Sequence, residues 1–303
     1  MRIGYPCLNR SIGCTASRTF RLSSYSDDHL RDTVQENLAC LAKILAYNKN
    51  YDLLFFRITS DLVPFASHPA CTFAWQEYFS GEFDQLGEYI RKHGFRISMH
   101  PDQFVLLNAP DEGVLRYSIA DLVYQVQVLD LMGLDNSAKV QIHVGGIYSN
   151  KTASIDRFIK RFELLEPSIR NRLVIENDER LYTISDCLAI NEQTGIPVIM
   201  DSFHHSLKNN GERFADLLQP VRKTWKPADG IPMVDYSSQE QGKRAGAHAE
   251  HIVADDFRQF LAATQPADFD IMLEIKDKER SALEALGIVR GDPRLVTGDS
   301  ARA

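Results

Sequence analysis

Eight short apolar runs, separated by segments with helical periodicity, are the feature that most restricts the fold of this chain. The runs are rich in β-branched residues, which is typical of strands buried on both faces of a parallel sheet. Eight strand–helix units that close on themselves form a single (β/α)8 TIM barrel, an α/β fold. The predicted strands are residues 2–6, 53–59, 96–100, 139–144, 173–176, 197–201, 232–236 and 271–275.

The segments between these runs have the apolar spacing of amphipathic helices. After Ser26, which we predict to be a helix N-cap, apolar residues recur at steps of three and four as far as Leu45. A second helix is predicted over residues 82–92, and Gly94 is expected to end it in the left-handed conformation. A doubly wound sheet of six or seven strands is the alternative, but no GxGxxG motif follows the first run, which disfavours a dinucleotide-binding version.

Composition indicates a globular protein with its own apolar core. Of the 303 residues, 44% are hydrophobic and 25% are charged. No Pro/Gly/Ser-rich linker divides the chain, so we expect one domain over residues 1–298 and a disordered tail over 299–303. The five cysteines are odd in number and form no CxxC pair, so we expect reduced thiols in a cytoplasmic protein, without disulfides or a zinc knuckle. No segment resembles a signal peptide or approaches the roughly 20 apolar residues of a membrane span, so we expect no membrane partner.

The net charge of −7 is unusual for a protein that binds nucleic acid. Its distribution matters more than its sum, because a local basic stripe is enough to attract phosphates. Bound divalent cations also reverse the local field where carboxylates cluster. The acidity therefore lowers the expectation of DNA binding without excluding it.

Almost every predicted strand ends in a residue type that binds metals or takes part in catalysis. In a TIM barrel the carboxyl ends of the strands meet at one mouth, where active sites lie. We therefore expect carboxylates and imidazoles to converge there. In chain order, the residues at or just after the strand ends are Tyr5, Asn9, His68, His100, His143, Glu176, Asp201, His204, Asp235 and Glu274.

This convergence favours a metal site, because like charges in a partly dry site repel unless cations neutralise them. Histidine with carboxylates suits Zn²⁺, Mn²⁺ or Fe²⁺ better than Mg²⁺ or Ca²⁺, which prefer oxygen ligands. A single histidine is more often structural, and a single carboxylate is often an N-cap, but six strand ends with ligand types favour a metal site. His29 and His93 lie in helical segments and are predicted to be structural, whereas His205 and His251 stay open.

At these positions the sequence resembles the UV damage endonuclease family, which is similar to endonuclease IV and to sugar isomerases of the xylose isomerase type. The resemblance covers almost the whole chain, and its more specific motifs are ENDER and SMHPDQF in their strand contexts. The other matching segments are GYPCLN, FRITSDLVPFASHP, IHVGG, DSFHH, GAHA and EIKDKE.

The resemblance implies a metal-dependent endonuclease that incises double-stranded DNA immediately 5′ of a pyrimidine dimer or (6-4) photoproduct and leaves a 3′-hydroxyl. It also implies two or three divalent metal ions, which we expect to be Mn²⁺, with Zn²⁺ or Mg²⁺ as alternatives. No surface pattern in the sequence demands a dimer, so we expect a monomer.

The resemblance also assigns roles to single residues. Tyr5, Asn9 and His68 match positions on the lesion side of the site. Gln103 and Phe104 match the pair that probes the duplex opposite the damage, although tyrosine is frequent at the second position, and a core aromatic is the alternative for Phe104. The positions that match metal ligands are His100, His143, Glu176, Asp201, His204, His248 and Glu274.

Glu176 is the predicted bridging ligand, because it is central in the order of the ligands along the chain. With His143 and His68 it makes up the predicted catalytic set. The seventh strand departs from the family pattern, since some relatives carry Lys-x-His with a carboxylated lysine where this chain has Met233 and Asp235. Methionine cannot be carboxylated, so we expect no modified lysine there. We predict that Asp235 replaces the histidine as a metal ligand, with N-capping of the next segment as the alternative.

Two other activities fit the same barrel. A sugar or sugar-phosphate isomerase would use two metals and would need a smaller, enclosed pocket with a Lys or His base. An apurinic-site endonuclease would differ in the lesion that it selects rather than in its chemistry. A non-enzymatic binding module is disfavoured by the number of ligand residues.

Overall fold

The eight predicted strands form one closed barrel in the computed structural model, which describes residues 1–298. All neighbouring strands are parallel, their order follows the chain, and β8 pairs with β1. The (β/α)8 prediction is thus confirmed, while the tail predicted for residues 299–303 lies outside the described residues. The strands are β1 Ile3–Pro6, β2 Phe55–Ile58, β3 Arg96–Met99, β4 Lys139–His143, β5 Leu173–Glu176, β6 Val198–Asp201, β7 Met233–Tyr236 and β8 Asp270–Leu273.

Helices follow the strands and complete the alternation that the sequence predicts. Within residues 1–298, none of them has both the length and the apolar character needed to cross a membrane. The helices are α1 Asp27–Asn50, α2 Trp75–Tyr78, α3 Ser80–Lys92, α4 Glu112–Leu131, α5 Lys151–Glu163, α6 Pro167–Arg170, α7 Ile184–Thr194, α8 Ser202–Leu207, α9 Phe214–Thr224, α10 Ala254–Thr264 and α11 Glu279–Val289.

Local sequence signals explain where the first helices begin and end. The side chain of Ser26 accepts a hydrogen bond from the backbone N–H of His29 at 3.1 Å, so Ser26 is the N-cap of α1, as predicted. Gly94 follows α3 with a φ of 65°, a conformation that glycine adopts without the steric cost of a Cβ atom. Both boundaries therefore follow from residues visible in the sequence.

The strands are buried along almost their whole length, as their continuous apolar runs predict. Only the last residue of β4, His143, is partly exposed among the strand residues. The parallel register places His143 beside Glu176 and Asp201 beside Asp235. Functional side chains at the carboxyl ends of the strands consequently lie at one level, at the mouth of the barrel.

The cysteine prediction is wrong for two of the five residues, because Cys14 and Cys40 form a disulfide with a Cα–Cα distance of 5.9 Å. Cys7, Cys71 and Cys187 are free thiols. The loop before α1 packs against that helix, where the buried Asn37 bonds both backbone groups of Arg18. This packing brings the two cysteines together, and cysteine spacing alone does not reveal it.

Candidate metal centre

Glu176, the last residue of β5, lies at the centre of the barrel mouth with 1% of its side chain exposed. Its Oε2 is 3.4 Å from Nε2 of His100 and 3.7 Å from Nε2 of His143. Its Oε1 is 3.1 Å from Nδ1 of His204. Three imidazoles from different strand ends therefore surround one buried carboxylate.

Two groups of metal-ligand type share this carboxylate. The first contains His100, His143 and Glu176, and the second contains Glu176, Asp201 and His204. Within each group the ligand atoms lie within 4.8 Å of one another. Since the two oxygens of Glu176 lie toward different groups, its position suits the bridging role predicted for it.

Neighbouring backbone and amide groups orient these side chains. Nδ1 of His100 lies 2.9 Å from the carbonyl of Pro101, which favours a proton on Nδ1 and leaves Nε2 facing Glu176. Asn177 donates to the Asp201 carbonyl at 3.1 Å and accepts from its N–H at 2.9 Å. Asn177 is not among the residues predicted from the sequence, although it follows Glu176 directly and its side chain fixes the end of β6.

The residues present fit a divalent transition metal. Oδ1 of Asp201 accepts a hydrogen bond from the His204 N–H at 2.7 Å, whereas its buried Oδ2 has no hydrogen-bond partner among the described residues. A buried carboxylate oxygen without a donor is costly unless a cation or a proton offsets its charge. Imidazole nitrogens beside carboxylate oxygens form the ligand set that suits Mn²⁺ or Zn²⁺.

The charged groups of this centre shift one another's pKa values strongly. Burial would raise the pKa of Glu176, but His143, His100 and His204 outweigh it and hold that pKa well below its usual range. Burial raises the pKa of Asp201 well above its usual range, and His204 opposes the shift only in part. Burial lowers the pKa of His204, but Asp201 and Glu176 prevail and raise it to about 11. A proton therefore neutralises this pair when no metal is bound.

These shifts predict that the metal-free protein loses stability as the pH rises from about 6.5. An unfolded histidine titrates near 6.5, whereas His204 in the fold titrates near 11, so its stabilising proton is fully held below 6.5 and is lost toward 11. The raised pKa of Asp201 acts in the same direction. The Tm in excess chelator should fall between pH 6.5 and 8.5, and His204→Gln should flatten the slope. A Tm that rises across this interval in chelator would contradict the prediction.

Asp235 and Glu274 lie outside both groups and are held by an arginine instead. The Arg57 side chain is 3% exposed, and its Nη2 donates to Asp235 Oδ1 at 2.9 Å and to Oδ2 at 2.8 Å. Its Nη1 donates to Oε1 of Glu274. Nδ1 of His248 lies 2.8 Å from the Glu274 carbonyl. Asp235 therefore does not cap the following segment, and metal ligation by Asp235, His248 and Glu274 stays a prediction.

Arg57 and Gln141 belong to the centre, and sequence reasoning missed both. Arg57 lies in the otherwise apolar strand β2, and Gln141 lies between two apolar residues of β4. Gln141 is two residues before His143, so these two side chains lie on the same face of β4. Gln141 donates to Glu176 Oε2 and to Asp235 Oδ2, both at 2.6 Å. A polar residue inside a buried apolar run is the signal that could have identified them.

Tyr5 and Asn9, predicted on the lesion side, are buried beneath the surface. The Tyr5 hydroxyl donates to Asn48 at 2.6 Å and accepts from the Asn9 side chain at 2.8 Å. Burial raises the pKa of Tyr5 far above its usual value, so it is a neutral hydrogen-bonding group. Their contact with DNA stays a prediction, because neither side chain reaches the surface in this structure.

Phe104 is exposed over 71% of its surface, so its alternative as a core aromatic is excluded. Gln103 beside it is exposed as well. His68 and Phe104 line the same cavity of about 400 Å³, together with Phe65 and Tyr117. An exposed ring beside a cavity at the barrel mouth suits contact with a nucleic acid base.

The remaining histidines lie outside the two ligand groups. His29 stacks on Phe20 with ring centroids 3.9 Å apart, and His93 packs on Tyr89 at 4.4 Å. The two residues left open in the sequence analysis make local bonds: His205 to the carbonyl of Glu212 at 3.0 Å, and His251 to Asp277 at 2.9 Å. We assign no part in the centre to any of the four.

The fold and the strand-end residues together define this chain as a TIM barrel with a candidate metal centre at its mouth. The crystal structure of a xylose isomerase domain protein from Planctomyces limnophilus shares the architecture, with a TM-score of 0.53 and 9% identity, covering 82% of this chain and 90% of that one. The crystal structure of endonuclease IV from Thermus thermophilus matches with a TM-score of 0.57 and 19% identity, covering 82% of this chain and 93% of that one. Such a likeness shows the fold alone.

The chain belongs to the UV-endonuclease UvdE family, whose model matches residues 1–290. A UV DNA damage endonuclease of Clostridium perfringens (strain 13 / Type A) is 35% identical over 292 residues, which are 96% of this chain and 71% of the relative. The crystal structure of SacUVDE matches with a TM-score of 0.92 and 46% identity, covering 96% of this chain and 98% of that one. The family resemblance noted in the sequence is thereby confirmed.

Proposed function

We propose that this protein is a cytoplasmic, monomeric DNA repair endonuclease. It hydrolyses the backbone of double-stranded DNA immediately 5′ of UV photoproducts, with the help of divalent metal ions. The proposal rests on one observation: Glu176 lies close to three imidazoles and to Asp201 at the mouth of the barrel, in a chain that belongs to this family. These side chains suit the binding of cations, and relatives in the family are named UV DNA damage endonucleases.

The ligand groups suggest how the ions would be shared. Glu176 would bridge them, with His100 and His143 on one side and Asp201 and His204 on the other. Asp235, His248 and Glu274 are the further predicted ligands. When bound, two or three ions, which we propose to be Mn²⁺ with Zn²⁺ or Mg²⁺ as alternatives, supply a nucleophile from water and neutralise the phosphodiester.

The side chains at the rim would then orient the substrate. His143 is the most exposed imidazole of the two ligand groups, with 27% of its side chain accessible, and its Nδ1 has no hydrogen-bond partner among the described residues. His68 lies at the wall of the neighbouring cavity. We propose both as catalytic residues with Glu176, His143 at the reacting phosphate and His68 at the lesion strand.

Lesion selection is proposed to rest on the exposed pair Gln103 and Phe104. A damaged and poorly stacked base costs less to unstack than an intact one. A side-chain wedge inserted into the duplex therefore selects lesions through the deformability of the DNA rather than through base edges. Tyr5 and Asn9 are proposed to shape the lesion side from beneath.

A plasmid nicking assay tests the proposed function. Supercoiled plasmid that is UV-irradiated, depurinated or undamaged would be incubated with the protein and Mn²⁺. Nicks are expected in the irradiated plasmid, immediately 5′ of the photoproducts, with 3′-ends that a polymerase extends. Nicking of the depurinated plasmid alone would indicate an apurinic-site endonuclease, and no nicking with turnover of a keto-sugar would indicate an isomerase.

Metal removal should abolish this activity. We expect the purified protein to carry two or three transition-metal ions per chain, because the carboxylates at the mouth repel each other without them. Dialysis against a strong chelator should remove the ions and the nicking, and Mn²⁺ should restore both. Elemental analysis by mass spectrometry measures the content. A metal-free preparation that nicks at the full rate in chelator would contradict the prediction.

A further inference from the structure

Arg57 is a buried charge at the floor of the metal centre. It lies on β2, in a strand whose other residues are apolar, and its side chain is 3% exposed. Its partners come from three other parts of the barrel, since Gln141 is on β4, Asp235 is on β7 and Glu274 follows β8. The guanidinium therefore spans the interior directly below the ligand groups.

Arg57 binds both carboxylate oxygens of Asp235 and one carboxylate oxygen of Glu274. Both oxygens of Asp235 accept hydrogen bonds from Nη2, and Oδ2 also accepts one from Gln141. Glu274 is bound through Oε1, while its Oε2 accepts no hydrogen bond from the described residues. A guanidinium always carries its charge in a protein and binds carboxylates in a fixed fork, so it holds both side chains in place.

The same guanidinium orients Gln141 toward Glu176. Arginine can only donate hydrogen bonds, so the atom of Gln141 that lies 2.8 Å from Nη2 must be the carbonyl oxygen. The amide nitrogen then faces Oε2 of Glu176 at 2.6 Å. Arg57 thus acts on the bridging carboxylate through one intermediate side chain.

The carboxylates at the barrel mouth explain the effect of the positive charge of Arg57. With the imidazoles neutral, as they are when they bind metal, the four predicted carboxylate ligands carry four negative charges: Glu176, Asp201, Asp235 and Glu274. Arg57 offsets one of them. For these five charged groups, two divalent ions would leave a single positive charge, which a phosphodiester monoanion matches. A third ion would leave an excess of three, with Asp235 already paired.

We propose that Arg57 is a positioning residue that takes the place of a third cation. It holds Asp235 and Glu274 at the floor and directs Gln141 to Glu176, so that the centre binds two ions on the ligand groups above. This inference rests on the proposed function and deepens it, since it sets the metal count at two and removes Asp235 from direct ligation.

Metal stoichiometry tests the inference without DNA. Titration of the chelator-treated protein with Mn²⁺, followed by the EPR signal of the free ion, should give two ions per wild-type chain. Arg57→Met frees Asp235 and Glu274 and should bind a third ion. At saturating Mn²⁺, kcat on irradiated DNA should fall by about 10–100-fold, the range for residues that orient metal ligands, with little change in KM. Arg57→Met/Asp235→Leu, which replaces both partners by apolar groups, should return to two ions.

Arg96→Met is the matched control. Arg96 is also a buried strand arginine, 5% exposed, but it lies at the start of β3 and faces Asp270 at 3.8 Å. The Arg96→Met variant should bind the same number of Mn²⁺ ions as the wild type. If Arg57→Met does not fold, the double variant and Arg57→Lys carry the test. Lysine keeps the charge but lacks the fork, so Arg57→Lys should bind two ions and still lose kcat.

Two outcomes would overturn the inference. One is a wild-type protein that binds three ions and loses one of them in Asp235→Ala. The other is an Arg57→Met variant that binds as many ions as the wild type and has the wild-type kcat. A wild type that shows the Mn²⁺ pattern but does not nick irradiated DNA would instead refute the proposed function and leave the role of Arg57 standing. The two failures are therefore distinguishable.

Discussion

Glu176→Ala is expected to abolish incision of irradiated DNA, with a fall in rate of at least about a thousandfold. The carboxylate faces both ligand groups, so its removal deprives each of them of a ligand. A metal ion contributes several kcal/mol to a phosphoryl transition state, and about 4 kcal/mol corresponds to a thousandfold in rate. The fold should persist, because Glu176 contributes no apolar surface to the core.

Circular dichroism would verify the fold, elemental analysis the ion content, and the plasmid assay the rate. Glu284→Ala is the matched control, since Glu284 is an exposed glutamate on α11 without a role in the site. It should nick like the wild type. Near-normal nicking by Glu176→Ala, with the ions still bound, would show that another residue bridges the metals.

Replacing Gln103 and Phe104 by alanine should impair the recognition of lesions more than the incision of the strand. Base–aromatic stacking contributes about 1–3 kcal/mol, so the preference for damaged over intact duplex should fall roughly five- to 150-fold. The ring of Phe104 is largely exposed and buries little apolar surface, so stability should change little. Binding of irradiated and intact oligonucleotides at fixed salt, with kcat at saturating DNA, measures both effects.

Leu164→Ala provides the comparison, because Leu164 is 83% exposed and follows α5, at the opposite end of the barrel. It removes a similar exposed apolar group and should leave discrimination intact. Loss of bound metal in the Gln103/Phe104 double variant would show that these residues support the centre. The wedge would then have to be sought elsewhere.

The barrel could be predicted because its signals are local and repeated. Each apolar run fixes one strand, and the parallel alternation leaves few other topologies for eight of them. Strand boundaries shift by one or two residues; the run at 53–59, for example, contains the shorter strand Phe55–Ile58. Closure brings the strand ends together, so strand order was enough to predict that His100, His143, Glu176, Asp201 and His204 meet, although it does not distinguish them from Asp235 and Glu274.

The partners of Asp235 could not be predicted in the same way. A carboxylate at a strand end looks identical in sequence whether it faces a metal or an arginine. Arg57 lies 178 positions away along the chain, and only closure of the barrel makes the two meet. The Cys14–Cys40 disulfide escaped prediction for a related reason, because it depends on how a loop without periodic pattern packs on α1.

The pairing of His143 with Glu176 in the β4–β5 ladder has an evolutionary consequence. Two side chains on adjacent hydrogen-bonded strands are spaced by the sheet itself, at about 5 Å between backbones. Gln103 and Phe104, in contrast, lie on the segment that follows β3 and are placed by that loop. In the proposed function, the reacting centre and the pair that selects lesions are thus inherited through different parts of the chain. We expect substitutions at these two loop positions to broaden or narrow the range of damage that is repaired while the reacting centre is left as it was.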